Sequence, residues 1–294
     1  MLELKTLSGK IIPSIGLGTY PFQGKVMADM VREAVKVGYC LIDTADDYRG
    51  ESGIGLAVAS GSFNRENVFL QTKISNDTAY ADEPLAGKYF NNYSQVMKHH
   101  SVMEIVREKV ATSLREMKTD YLDSLLIHYP YPGFFEDIWD TMIKLQKEGV
   151  VRYIGVSNFH RRHIDVIKKS GKSPDINEIY ISPIGTKQEQ IDYSKDSDIQ
   201  LMSYSPLMDI SHNRIPEEQF ADIIDKYHKS FSQIILRWNV DRGCIPLPKT
   251  KNINRLRENF DIFDFSLTEE EIARISSLNV DFQILPESKI CPGI

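Results

Sequence analysis

Four side chains stand where they could do chemistry together: Asp43, Tyr48, Lys73 and His128, each at or just past the end of a short apolar run. A phenol is a poor proton donor near neutrality, with a reference pKa of about 10. A neighbouring ammonium favours the phenolate, so Lys73 is expected to lower Tyr48 toward a useful range. Asp43 would hold Lys73 charged and oriented, and His128 would donate to a substrate oxygen on which negative charge develops. That set suits protonation of a carbonyl oxygen while the carbon is attacked. No side chain donates hydride, so the chemistry requires a reduced cofactor. Each residue alone has a plain structural explanation: a helix cap, a rim aromatic, a solvated charge, a satisfied core imidazole. The chemistry lies in their coincidence.

What must position them is a repeating alternation of strand and helix. Eight short runs read as strands: Ile15–Gly18, Tyr39–Asp43, Val68–Thr72, Ser124–His128, Tyr153–Val156, Ile176–Ile181, Gln200–Tyr204 and Cys244–Leu247. Most are apolar without alternation, as in parallel strands buried on both faces. Between them Ala28–Val37, Val102–Glu116, Phe135–Glu148, Arg161–Lys169 and Phe231–Val240 carry apolar residues at helical spacing, and Thr268 with Glu271 makes a helix-start signature. The pattern predicts a (β/α)8 TIM barrel with right-handed crossovers. The alternative, an open doubly wound sheet, would favour a G-x-G-x-x-G turn, whereas Gly16-Leu-Gly18 continues into Thr19-Tyr20-Pro21. Residues 1–294 read as one barrel domain. Leu2–Leu7 alternates with period two before Ser8-Gly9 and Ile11-Ile12, which predicts a short N-terminal β-hairpin closing the barrel's bottom. A C-terminal tail follows at Val280–Ile294. In such a barrel, residues just past the strand ends gather on one face.

The chain has 294 residues, with 35 Lys+Arg against 41 Asp+Glu for a formal charge of −6. This balance argues against a nucleic-acid partner, which would want a basic face. No apolar run is long enough to span a membrane, and the first residues do not read as a secretory signal, so a cytoplasmic protein is expected. Its three cysteines are too scattered for a disulfide framework or a zinc site, and Cys40 and Cys244 are expected as reduced thiols buried in strands. No metal is expected: His99 and His100 are adjacent and point apart. Asn76-Asp-Thr78 and Asn92-Tyr-Ser94 fit the glycosylation pattern by chance.

Gly38-Tyr-Cys-Leu-Ile-Asp-Thr-Ala45 with Tyr48 and Glu51 resembles the early signature of the aldo-keto reductases. So do Tyr121-Leu-Asp-Ser-Leu-Leu-Ile-His-Tyr-Pro130, Ile154-Gly-Val-Ser-Asn-Phe159, Ser203-Tyr-Ser-Pro-Leu207 and Ile245-Pro-Leu-Pro-Lys-Thr250, in the family's order from Leu7 to about Leu278. The resemblance implies that Asp43, Tyr48, Lys73 and His128 form a catalytic tetrad with the tyrosine as general acid, and that NADPH is the cofactor. It assigns Ser157 and Asn158 to the nicotinamide carboxamide, Tyr204 to stacking on the nicotinamide ring, and Ser205 and Leu207 to the pyrophosphate. Lys249, Thr250 and Arg255 are assigned to the adenosine 2′-phosphate, and Glu258 and Asn259 to the adenine. Gly18, Thr19 and Asp43 join the cofactor set. Two cations and a hydroxyl suit a phosphate, and a helix start near Asn252–Asn254 would add backbone donors. Tyr20, Tyr48, His128 and Tyr129 would line the pocket for a small-molecule carbonyl substrate.

The chain departs from the family at Asn177-Glu-Ile-Tyr180, where Asn-Gln-x-Glu is usual. Glu178 thus replaces a glutamine that touches the carboxamide, and an ionised carboxylate has no proton to donate there. The Ser75–Ser101 insertion, rich in aromatics at Tyr80, Tyr89, Phe90 and Tyr93, is expected near the active-site mouth, shaping the pocket. The tail with Cys291 would help set substrate choice. The leading expectation is an NADPH-dependent oxidoreductase reducing an aldehyde or ketone to the alcohol. The competing reading is a cofactor-binding regulatory or structural protein of the same fold with little turnover; a metal-dependent hydrolase lacks the paired histidines it would need. The physiological carbonyl, the favoured direction and the oligomeric state, monomer or weak dimer, are not written in these motifs.

Overall fold

A computed structural model of the chain describes residues 3–5, 9–75, 101–130 and 133–284. The aromatics and histidines of the insertion at 76–100, its two glycosylation patterns, and Cys291 in the tail lie outside those residues.

Two strands, β1 (Glu3–Lys5) and β2 (Ile11–Pro13), pair antiparallel with Leu4 opposite Ile12. Eight parallel strands follow: β3 (Gly16–Gly18), β4 (Leu41–Asp43), β5 (Phe69–Ile74), β6 (Leu122–Ile127), β7 (Val151–Ser157), β8 (Ile176–Tyr180), β9 (Gln200–Tyr204) and β10 (Ile245–Leu247). They are hydrogen-bonded in sequence order from β3 to β10. Across the remaining seam the Gly18 amide donates to the Pro248 carbonyl at 3.0 Å. A Cβ on Gly18 would stand 2.9 Å from the Leu247 carbonyl oxygen, so a side chain there would pry the seam apart. This is the expected (β/α)8 barrel.

Helices at Gly24–Val37, Glu51–Ala59, Val102–Met117, Phe135–Lys147, Arg161–Ile167, Gln188–Asp196 and Phe231–Asp241 occupy the crossovers. Their starts follow local chemistry. Ser101 with Glu104, Ser230 with Gln233 and Thr268 with Glu271 each form a reciprocal cap that satisfies otherwise orphaned amides. The helix read from sequence as Arg161–Lys169 ends at Ile167 and tightens into a 3-10 turn, Lys168–Ser170, closed by Gly171 at φ +84°.

Strand periodicity separates inside from outside. Leu41, Phe69, Leu126, Ile176, Met202, Ile245 and Leu247 form one buried cluster with Ile12, so the hairpin's second strand plugs the apolar floor of the barrel. Intervening residues such as Ile42, Leu70, Leu125 and Ile127 pack outward against the helices. Because side chains two apart share a face, Phe69, Gln71 and Lys73 line one inner wall of β5, rising from an apolar floor to an amide and then an ammonium. At the outer edge of the β5–β6 pair, Asp123 is clamped between Arg65 and Arg152, each 2.8 Å away, and both guanidiniums lie over the Tyr121 ring.

Three sequence expectations need adjusting. Strand β4 begins at Leu41, after the Gly38 helix stop, rather than at Tyr39. Strand β6 ends at Ile127, which leaves His128 just beyond it. Cys40 and Cys244 each precede a strand instead of lying within one. Cys40 is half-buried, whereas Cys244 is fully enclosed and burial pushes its thiol up to about 12.

Candidate functional site

The C-terminal ends of β4, β5, β6 and β8 bring a charged cluster into the barrel mouth. Lys73, only 1% exposed, sends its Nζ to Asp43 Oδ1 at 2.6 Å, to Glu178 Oε1 at 3.1 Å and to the Thr44 carbonyl at 3.2 Å. Burial works to discharge this ammonium, but the two carboxylates outweigh it and hold Lys73 well above the ordinary lysine value. Beneath it, Gln71 Nε2 donates to Asp43 Oδ1 at 2.9 Å and to Glu178 Oε2 at 2.8 Å, while the Ser124 hydroxyl donates to Gln71 Oε1 at 2.7 Å. Thr19 steadies the same strand end by donating to the Asp43 carbonyl at 2.7 Å.

Tyr48 closes a short 3-10 turn, Asp46–Tyr48, held by its own amide on Ala45 and by Gln23 on its carbonyl. Its ring centroid lies 5.4 Å from Lys73 Nζ and 5.7 Å from the His128 ring, edge-on to the imidazole. Tyr20, an exposed rim residue, packs against Tyr48 at 5.1 Å, and Tyr129 stacks on His128 at 4.5 Å. The four residues expected to act together, and Tyr20 and Tyr129 expected beside them in the pocket, therefore meet at one mouth.

One expectation is overturned. Lys73 does favour the phenolate of Tyr48, but burial is the larger influence, and the carboxylates of Asp43, Glu178 and Asp47 add to it. The phenol is held well above its ordinary value. Burial disfavours the phenolate most, and the acids around Lys73 leave little of its positive field to offset that. Tyr48 stays protonated at neutral pH.

The residues assigned to a cofactor are distributed along β7, β9 and β10. Ser157 ends β7 and donates to the Glu178 carbonyl at 2.9 Å. Asn158 follows at φ +62°, and its amide nitrogen donates to the His128 carbonyl and to Ser157 Oγ, both at 3.0 Å. Its oxygen accepts from the Tyr204 hydroxyl at 2.9 Å, which fixes the orientation of that ring. A cavity of about 60 Å³ opens beside Asn158 and Tyr204, bounded also by Ile179, Tyr180 and Ile284. Ser205 turns the chain at φ +51°, and Leu207 leads into a short helix, Met208–Ser211. Past β10, Lys249 and Arg255 are exposed, and neither has an ion-pair partner among the described residues. Asn252 caps the helix Ile253–Phe260 by accepting from the Asn254 amide, and its own amide donates to Thr250 Oγ1 at 3.0 Å. Asn259 is buried, and Glu258 is engaged by the Ser230 hydroxyl. Glu178 differs from its assigned part: its carboxylate is turned to Lys73 and Gln71.

Sequence reasoning missed Asp47, Gln71 and Ser124. Asp47 Oδ1 lies 3.5 Å from His128 Nδ1, too long for a well-formed hydrogen bond and close enough for strong attraction. Burial works to neutralise Asp47, yet His128, Lys73 and Lys109 together hold its carboxyl below the ordinary aspartate value. The available signals were a doubled carboxylate beside Tyr48 and single polar residues interrupting apolar strands. Asp46 has a separate task. It accepts from the Ser75 amide at 3.0 Å and from the Ser75 hydroxyl, and pairs with Lys109 at 2.7 Å. Among the described residues, no group of three or more His, Cys, Asp or Glu side chains is arranged to hold a metal, and no helix is long and apolar enough to cross a membrane.

Over this architecture, the sequence pattern of the Aldo/keto reductase family matches residues 14–280. The chain belongs to that family. Among similar aldo/keto reductases, the methylglyoxal reductase DkgA of Escherichia coli K12 is 32% identical over 287 residues, 97% of this chain and 96% of the relative. The glyoxal reductase of Bacillus subtilis is 33% identical over 285 residues, 96% of this chain and 95% of the relative. Among solved structures, an aldo/keto reductase from Brucella melitensis superposes with a TM-score of 0.80 at 34% identity, covering 94% of this chain and 98% of its own. A Bombyx mori aldo-keto reductase in complex with NADP gives a TM-score of 0.81 at 29% identity, covering 98% and 95%.

Proposed function

We propose that this chain reduces an aldehyde or ketone to the alcohol with NADPH, and that Tyr48 is the proton donor. The observation that carries this reading is the Tyr48 ring, 5.4 Å from the Lys73 ammonium and 5.7 Å from the His128 imidazole, at the mouth of the barrel.

The side chains suit the cofactor. Lys249 and Arg255, without ion-pair partners among the described residues, offer cations to a 2′-phosphate, with the Thr250 hydroxyl between them in sequence. The Tyr204 ring, tethered through its hydroxyl, offers an apolar face, and Asn158 keeps a free lone pair on its amide oxygen for a carboxamide N–H. When bound, the reduced nicotinamide supplies hydride to the carbonyl carbon.

His128 orients the carbonyl oxygen. As negative charge grows there, the phenolic O–H of Tyr48 breaks and the new O–H forms on the substrate, giving the alcohol. Lys73 stabilises the phenolate left behind until water restores its proton. Tyr20, Tyr48 and Tyr129 form an aromatic wall at this mouth, and glyoxal and methylglyoxal, named for the two bacterial relatives, are the first substrates to try.

The test is loss of reduced-nicotinamide absorbance when these aldehydes are added with NADPH, beside the Tyr48→Phe variant. The variant is expected to bind NADPH like the parent while turnover falls about 10²–10⁴-fold. Full activity in the variant would overturn the role of Tyr48; NADPH binding without turnover of any carbonyl would favour the regulatory reading.

A further inference from the structure

Glu178 makes an ion pair that the proton transfer described above does not require. Lys73 already has Asp43, and one carboxylate suffices to keep one ammonium charged. Glu178 adds a second at 3.1 Å, and Gln71 ties the two acids together by donating to both. Ser124 in turn fixes Gln71. All five side chains are buried, with exposures of 4% or less. Gln71 and Ser124 are polar residues inside a barrel whose floor is otherwise apolar, and their hydrogen bonds serve to hold Glu178 against Lys73.

We propose that Glu178 is a positioning residue for proton transfer: acting through Lys73, its carboxylate opposes ionisation of the Tyr48 phenol and so favours carbonyl reduction over the reverse oxidation. This rests on the reading of Tyr48 as the reacting acid. With Asp43 alone, the buried pair would be neutral overall. With Glu178 ionised as well, the group carries one net negative charge, and a phenolate beside it is disfavoured. Reduction needs the phenol, which the extra charge preserves. Oxidation of an alcohol needs the phenolate as base, which the extra charge withholds.

The pH range follows from the surroundings of Glu178. Asp43 comes from β4, Lys73 from β5, Tyr204 from β9, and Tyr48 and Asp47 from the 3-10 turn, with His128 and Tyr129 past β6 and Tyr180 two residues along β8. Burial first, then Asp43, pushes the Glu178 carboxyl up to about 8 against the pull of Lys73. Below that value Glu178 holds a proton and adds no charge. Above it the charge appears, in the range where alcohol oxidation would draw on a phenolate.

The experiment is carbon NMR of the full-length protein with tyrosine labelled at Cζ, the Tyr48 signal being identified by its absence in Tyr48→Phe. In Glu178→Gln the Tyr48 titration is expected to move down by about one pH unit or more, and in Glu178→Asp to stay near the parent. In parallel, alcohol oxidation with NADP⁺ at about pH 9 is expected to rise about tenfold in Glu178→Gln relative to the parent. An unmoved Tyr48 signal in Glu178→Gln, or equal shifts in both variants, overturns the inference. Should Glu178→Gln fail to fold, the parent decides: its Tyr48 carbon must show an inflection where the labelled Glu178 carboxyl carbon titrates, and a flat response overturns the inference. A parent that reduces no carbonyl refutes the proposed function, while the phenol titration still decides the role of Glu178.

Discussion

Asp47 Oδ1 and His128 Nδ1 face each other at 3.5 Å, one residue before the tyrosine whose ring meets the same imidazole edge-on. A carboxylate opposite one ring nitrogen orients the imidazole, as acids behind catalytic histidines do generally. Asp47→Asn should lower kcat/KM for aldehyde reduction about tenfold at neutral pH, with the NADPH dissociation constant within about twofold of the parent. Steady-state kinetics with fluorescence titration of the cofactor separates the two. Stability offers a second check. Because the folded Asp47 carboxyl is held below its ordinary value, its contribution is present above the unfolded pKa of 3.8 and disappears as pH falls through the folded value. The melting-temperature deficit of Asp47→Asn should therefore be seen at pH 6 and vanish in strong acid.

Cofactor choice should reside in Lys249 and Arg255, exposed cations past β10 with no ion-pair partner among the described residues. Replacing Arg255 with Gln or Lys249 with Met is expected to weaken NADPH binding on the order of tenfold or more, since a bidentate or point-charge partner of a phosphate is lost. Binding of NADH, which lacks that phosphate, should change by less than about twofold. Equal losses for both cofactors would place these residues elsewhere in the binding site.

Glu51, buried at the start of its helix and accepting from Thr72 Oγ1 at 2.7 Å, carries a pH-dependent cost. Burial is the main cause that lifts its carboxyl to about 7 from 4.5. The folded chain keeps a proton that the unfolded chain has released, so stability falls as pH rises from 4.5 to about 7, and the loss is complete above that. Glu51→Gln, neutral throughout, should gain on the parent across this window by up to a few kcal/mol, on the order of 1–3. Denaturant midpoints at pH 5 and pH 8 measure it; a constant difference between the two proteins would contradict the assignment.

Removing the clamped carboxylate in Asp123→Ala leaves Arg65 and Arg152 facing each other across Tyr121, and also strips an acceptor from the Leu70 amide. A loss of about 1–3 kcal/mol is expected, because the buried Leu70 amide loses its acceptor and Arg65 its carboxylate, while Arg152 stays half exposed. Thermal unfolding should show it, with the cofactor affinity of the folded fraction unchanged.

The barrel was legible because its signal is repetitive: each apolar run has only one way to be buried on both faces, and each capping serine or threonine sits one residue before a helix. The meeting of Asp43, Tyr48, Lys73 and His128 was legible because barrel strands point one way, so residues at or past their ends must gather. Gln71 and Ser124 escaped notice because a polar residue in an apolar run could face either the helices or the lumen, and only the register of β5 against β4 and β6 decides it. Glu178 was visible as a residue out of place, but its partner was not. The reach of its side chain to Lys73 crosses the barrel between strands that are not neighbours. The direction of the Tyr48 shift was misjudged because one nearby cation was counted, while burial and the acids surrounding it were not.

Asp46 grips Ser75, where the chain leaves β5 for the insertion, and Lys109, two turns into the helix by which it returns. Both roots of that excursion are therefore moored to a single carboxylate two positions from Tyr48. Such a mooring works as a firewall: the span between the anchors can lengthen, shorten or change its sequence while Tyr48 keeps its station.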